Sequence, residues 1–198
     1  MTRRRNRDDE VLTVAMKVFY EKGYLAASLQ DVAAAVGIKK GSLYYYMTSK
    51  EEMLFRIFQQ AHDESTAIMD EVDALGLPVQ DKLREYVRRL IVWYLANRER
   101  ANLYFTEWHH LTGDYAETVR GHRRLFESYV RKMILTAHEQ GLTKADMDVK
   151  VMSFFVLSAV TSVPTWYRPG GSWSPDVVAS QTANLACTAV FGEIPATR

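Results

Sequence analysis

Apolar residues recur three and four positions apart from one end of the chain to the other, and no stretch alternates as a half-buried strand would. The pattern predicts an all-α fold of nine helices. Val11, Ala15, Val18 and Phe19 make the apolar face of a first helix that Gly23 stops. In the second helix Val32 and Val36 lie four apart, with Ala33 beside them. Ser28 stands where a cap is needed, and Asp31 three residues later completes a capping-box pattern. Gly37 falls where the helix must end on φ > 0, which glycine reaches without a Cβ clash. A third helix opens at Lys39 and Lys40 and continues through Gly41 and Ser42 to Tyr44, Tyr45 and Tyr46. Ser49 and Glu52 form a second capping-box pattern ahead of a long fourth helix. Its stripe is Leu54, Phe58, Ala61, Ser65, Ile68 and Val72, and Gly76–Pro78 ends it.

A fifth helix is expected over Val79 to Arg98, with Leu83, Val87, Leu90, Ile91 and Tyr94 on one face. A shorter one follows over Ala101 to Leu111, and Gly113 breaks it. The seventh spans Tyr115 to Gln140, with Gly141 beyond its end. The eighth begins at Asp148 and is apolar nearly all round: Val151, Phe154, Phe155, Val156 and Val160 point in several directions. Such a helix is expected to be covered on every side. With the ninth helix (Val178, Leu185, Ala186, Ala189) it suits contact with a second copy of the chain; burial inside one subunit is the alternative. Ser174-Pro175 starts the ninth helix as N-cap and N1, and Gly192 ends it. The expected division is a three-helix head, residues 1–52, and a six-helix body, residues 53–198.

The segment from Ser28 to Lys50 reads as a helix-turn-helix. Its second helix offers cations, a small patch permitting close approach, and phenolic hydroxyls, the groups that suit a DNA surface. The run GIKKGSLYYYMTSKEEML resembles the signature of the TetR family of one-component transcriptional regulators, whose usual form is close to G-(x)3-G-(x)-LYYHF-(x)2-KEEL. Two positions depart from it: Tyr46 stands for the usual His and Met47 for the usual Phe. The resemblance implies that Gln30, Lys39, Lys40, Gly41, Ser42, Tyr44, Tyr45, Tyr46 and Lys50 face double-stranded operator DNA. Gly41 and Ser42 would lie closest to base edges, and Tyr45, Tyr46 and Lys50 would hold phosphate. It also implies a homodimer joined through helices eight and nine, and an inducer held among the middle helices.

Charge agrees in its distribution more than in its total. The net charge is +1, yet residues 1–50 carry nine Lys/Arg against five Asp/Glu, and the remaining 148 carry sixteen against nineteen. The basic excess sits with the helix-turn-helix, as an electrostatic footprint should. Arg3, Arg4, Arg5 and Arg7 form a basic arm suited to phosphate or to solvent. A single cysteine, Cys187, excludes an intrachain disulfide and is expected in the core. The N-terminus lacks the apolar stretch of a signal peptide. The most apolar run, Val149 to Val163, is about 15 residues, short of the ~20 that span a bilayer. A cytoplasmic protein without membrane contact is expected.

The body is rich in aromatics, which serve a packed core or an effector site equally well. Candidate effector residues are Trp93, Tyr104, Trp108, His109, Arg120, Arg124, Phe155, Trp166 and Arg168. The loop WYRPGG, Trp166 to Gly171, resembles one in TetR members that sense acyl-CoA thioesters. Arginines pair with phosphates and aromatics stack on adenine, so an acyl-CoA effector is one reading. A plain hydrophobic inducer is the other. An enzyme is not expected. Glu107 and His110 form a Glu-x-x-His pair, half of a di-iron carboxylate site, but no second such pair exists. Phosphate-binding loops, zinc-type Cys/His sets and nucleophile elbows are missing from the sequence. No cofactor or metal is called for. A ligand-independent architectural DNA binder remains the alternative function.

Overall fold

The computed structural model describes residues 2–192, with side chains from Arg7 onward. Every regular element among them is helical, and the chain divides into two compact units. The first holds residues 1–63 and 98–120; the second holds residues 64–97 and 121–198.

The first unit contains α1 (Thr2–Lys22), α2 (Leu29–Val36), α3 (Lys40–Leu43) and the start of α4 (Lys50–Ala74). α6 (Arg98–Glu107), a 3₁₀ turn (Trp108–His110) and the start of α7 (Gly113–Glu139) complete it. α1 packs on α2 and on α6. Val11, Ala15, Phe19, Val32, Leu54 and Phe58 are all buried, so the expected faces of α1, α2 and α4 do point inward. The rest of the α4 stripe is buried too: Ala61 in the first unit, and Ser65, Ile68 and Val72 in the second. The sixth helix starts earlier than expected, at Arg98, and tightens into the 3₁₀ turn before Leu111. The fifth ends at Ala96, with Asn97 closing it. Arg3, Arg4 and Arg5 lie outside the described side chains, while Arg7 pairs with Glu10 at 2.7 Å.

In the second unit α5 (Val79–Ala96) packs chiefly on α9 (Pro175–Phe191), and α8 (Val149–Trp166) packs on both. Asp148 caps α8 by accepting from Val151 N at 2.9 Å, and Ser174 caps α9. Cys187 is fully buried, and the low-polarity surroundings push its thiol up to about 11. α8 runs 18 residues, three beyond the apolar run Val149 to Val163, so by length and composition alone it could cross a bilayer, which corrects the expectation that it is too short. Its own chain does not cover it all round, which goes against the alternative of burial inside one subunit. Ser153, Val156, Val160 and Val163 face the core, whereas Val151 is 66% and Phe155 58% exposed, with Phe154 beside them. Pro164 is accommodated within the last turn.

Candidate nucleic-acid interface and effector residues

The helix-turn-helix is built by its caps. Ser28 Oγ accepts from Asp31 N at 3.2 Å, and Asp31 Oδ2 accepts from Ser28 N at 2.8 Å, so both halves of the capping box form. Lys22 donates to the same carboxylate, and these hydrogen bonds hold Asp31 far below the usual carboxylate range. At the other end Gly37 adopts φ 76°, and the N–H groups of Gly37 and Ile38 return to Ala34 and Ala33. These backbone bonds satisfy carbonyls that the helix end leaves open and turn the chain toward α3.

α3 is shorter than the sequence suggests. It stops at Leu43, and Tyr44, Tyr45 and Tyr46 form the turn that follows it. Leu43 and Met47 are buried and pin that turn from below. Above them Lys39, Lys40, Gly41, Ser42, Tyr44 and Tyr45 are exposed, as is Gln30 on α2. Tyr46 is half-buried with its ring edge-on to Tyr45 at 5.3 Å. A cation pair, two small residues and two phenols therefore share one open stretch of chain. No side chain rises at Gly41, and its space is clear of neighbours within 4 Å.

The start of α4 is wired differently from the pattern. Glu52 N donates to Ser49 Oγ at 2.9 Å, as a capped amide should, but the Glu52 carboxylate reaches one residue further back. It accepts from Thr48 N at 2.7 Å and from the Thr48 hydroxyl at 2.6 Å, and pairs with Arg56 at 2.6 Å. Lys50 points inward. Its Nζ lies 4.2 Å from the centre of the Tyr24 ring and donates to Leu25 O at 3.3 Å. Burial lowers the Lys50 pKa against the opposing pull of Glu107. Tyr24 is buried and its hydroxyl is pushed up to about 12 by desolvation, with Glu51 and Glu107 adding to the shift. Tyr24 also stacks on His110, and Glu51 accepts from both the amide and the hydroxyl of Thr112. None of these partners was visible in the spacing. Tyr24 and Thr112 carry no local pattern that marks them, and the pairing joins residues 61 apart.

The candidate effector residues fall in different units. Tyr104, Trp108, His109 and Arg120 belong to the first. Tyr104 is buried against Phe58, His109 is exposed, and Arg120 pairs with Glu117 at 3.0 Å. Glu107 meets His110 at 3.2 Å, so this carboxylate engages an imidazole of its own turn. Trp93, Arg124, Phe155, Trp166 and Arg168 belong to the second unit. Trp93 donates to Glu64 at 3.1 Å. In the WYRPGG loop Tyr167 is buried and donates to Trp173 O at 3.3 Å, and Gly170 turns the chain at φ 77°. Trp166 and Arg168 project to solvent on either side of it.

Two family models match this arrangement. The tetR-family model of bacterial regulatory proteins covers residues 11–57, and the tetracyclin repressor-like C-terminal domain covers residues 76–190. The chain belongs to the TetR family. Family and homologues alike are transcriptional regulators, not enzymes. The transcriptional repressor KstR2 of Rhodococcus jostii is 29% identical over 180 residues, which cover 90% of this chain and 88% of that protein. The structure of the ketosteroid regulator KstR2 of Mycobacterium tuberculosis superposes with a TM-score of 0.87 at 22% identity, covering 94% of this chain and 96% of that one. AibR, solved with isovaleryl coenzyme A and operator DNA, gives 0.81 at 23% identity, covering 95% of this chain and all of that one. At those identities the two structures speak for the fold. The TetR resemblance read from the turn glycine, the tyrosines and the Lys-Glu-Glu run thus extends over the body as well.

Proposed function

We propose that this TetR-family regulator is a ligand-responsive repressor that binds palindromic operator DNA as a homodimer in the cytoplasm. DNA recognition is assigned to residues 1–52, and effector binding and dimerisation to residues 53–198. The observation that carries the reading is the open surface from Lys39 to Tyr45, held rigid by the Ser28–Asp31 box and the Gly37 turn. Lys39, Lys40 and Tyr45 are assigned to phosphate, Gly41 and Ser42 to the base edges, and Gln30, Tyr44 and Tyr46 to the rim of the same surface. Lys50, engaged by Tyr24, acts by positioning the start of α4. The exposed stripes of α8 and α9 support the dimer, which would set two such surfaces about one DNA turn, ~34 Å, apart.

For the effector, an acyl-CoA thioester is the favoured class. Trp166 and Arg168 are both exposed, flanking the buried Tyr167, and an aromatic and a guanidinium suit an adenine and a phosphate; AibR offers a structural relative bound to such a thioester. A binding site selected from a random duplex pool tests the whole reading by fluorescence anisotropy. Selected DNA should bind at least ~10³-fold tighter than random duplex. Lys40→Ala should weaken binding and lower the slope of log K against log salt by about 0.9. Isovaleryl-CoA, and not isovalerate, should release the DNA. Equal affinity for random duplex would make the protein an architectural binder instead, and release by the free acid would remove the thioester reading.

A further inference from the structure

Within the second unit the last turn of α4, the turn into α5 and the C-terminal half of α7 enclose a half-open cavity of about 460 Å³. That is within the ~300–1,000 Å³ typical of small-molecule sites. None of the candidate effector residues lines it. Its apolar part is made by Leu77, Pro78, Val79, Met133 and Leu142. The rest is polar, and charge decides what that part can hold.

Three charged side chains line the cavity: Asp73, Lys82 and Lys132. Lys82 Nζ lies 2.7 Å from Asp73 Oδ1 and 5.6 Å from the centre of the Tyr129 ring. The Tyr129 hydroxyl donates to the same Asp73 oxygen. Asp73 is thus neutralised by Lys82 and held by two donors, and exposed Lys132 contributes a positive charge beyond that pair. The wall also includes Val79 and Gln80 of the first turn of α5, whose N-cap Pro78 offers no side-chain acceptor. The open amides of that turn add partial positive charge to the lysine. Gln80, Thr136 and Gln140 supply neutral hydrogen-bonding groups.

We propose that this cavity binds a small monocarboxylate bearing a short apolar chain, at a site separate from the one assigned to the inducer. A single negative charge matches the single surplus positive charge. A phosphate dianion would leave net negative charge against Asp73, and a neutral amphiphile would gain nothing from Lys132, whose charge otherwise acts on Asp73 alone among the lining carboxylates. The apolar wall sits beside the cation, so the tail and the carboxylate are satisfied together.

Isothermal titration of the full chain with octanoate, at low ionic strength and without DNA, tests this independently of the operator reading. One octanoate per chain is expected. Octanamide should bind at least fivefold more weakly, and inorganic phosphate more weakly than octanoate. Lys132→Glu should weaken octanoate at least tenfold with an unchanged melting temperature, and Lys132→Arg should stay within threefold of the parent. Absence of saturable octanoate binding, octanoate binding indifferent to Lys132→Glu, or tighter binding of phosphate would each overturn the proposal.

Discussion

Lysine side chains that look alike in the sequence have different surroundings in the fold. Lys40 stands in solvent on α3, whereas Lys50 is folded over the Tyr24 ring and bonded to the Leu25 carbonyl. A cation over an aromatic face contributes about 0.5–2 kcal/mol depending on desolvation. Lys50→Ala should therefore lower stability in urea by about 1 kcal/mol and reduce operator affinity with it, because the start of α4 loosens. Lys40→Ala should reduce affinity alone. If both variants melt like the parent, the Lys50–Tyr24 contact carries no weight. The family signature shows a lysine after the tyrosines and suggests phosphate. It cannot show that an aromatic ring from the α1–α2 turn arrives beside it.

Elements were legible where a local rule governs them. The Ser28 box, the Gly37 turn, the Asp148 and Ser174 caps and the stripes of α1, α4 and α5 follow from contacts within four residues, so spacing suffices to find them. The spacing overstates α3, because Tyr44 to Tyr46 are compatible with a helix, whereas in the fold they form a turn between buried Leu43 and buried Met47. Along α5 a charge cluster combines pairs at helical spacing with one contact that no local rule reaches, from Arg89 to Glu71. Glu85 accepts from Arg88 at 2.9 and 3.0 Å and from Arg89 at 2.6 Å, and Arg89 also reaches Glu71 on α4. The Arg88 hydrogen bonds, with those of Arg89 outweighing some desolvation, bring the Glu85 pKa from 4.5 to about 2. A depressed carboxylate pKa stabilises the fold above the unfolded value and loses that contribution as pH falls through the folded one. Glu85→Gln should thus be less stable than the parent at pH 7, by about 1 kcal/mol once partial exposure of the arginines is allowed for. The gap should close between pH 4.5 and 2 in urea titrations. A gap independent of pH would mean that packing of Glu85, not its charge, matters.

At the scale of the whole molecule, α8 presents apolar residues that its own chain leaves exposed. Val151, Phe154 and Phe155, followed by Ser158 and Ser162, lie on one outward stripe, and Val177, Gln181 and Leu185 form another on α9. Exposed apolar stripes of this kind mark association surfaces. Phe154→Glu should convert a dimer into a monomer in analytical ultracentrifugation and weaken operator binding more than tenfold, because one head reads only one half-site. The inward stripe of Ser153, Val156, Val160 and Val163 is untouched, so helicity by circular dichroism should persist. A dimer that survives the change would move the interface elsewhere. Phe155, a candidate for the effector site, lies with this outer stripe in the single chain.

By itself the sequence determined the helical class, the helix ends that a side-chain cap or a left-handed glycine marks, and the helix-turn-helix segment. Each depends on neighbours within one or two turns or on a continuous motif. Only the tertiary structure decided that Lys50 turns inward, that Glu52 reaches past Ser49 to Thr48, that α6 packs with the helix-turn-helix in one unit, and that a lysine-lined cavity opens beside α5. Apart from the Glu52 reach, these arise from residues tens of positions apart, whose meeting no periodicity encodes. Even the Glu52 reach is a choice between two adjacent backbone amides that the bare pattern leaves equal.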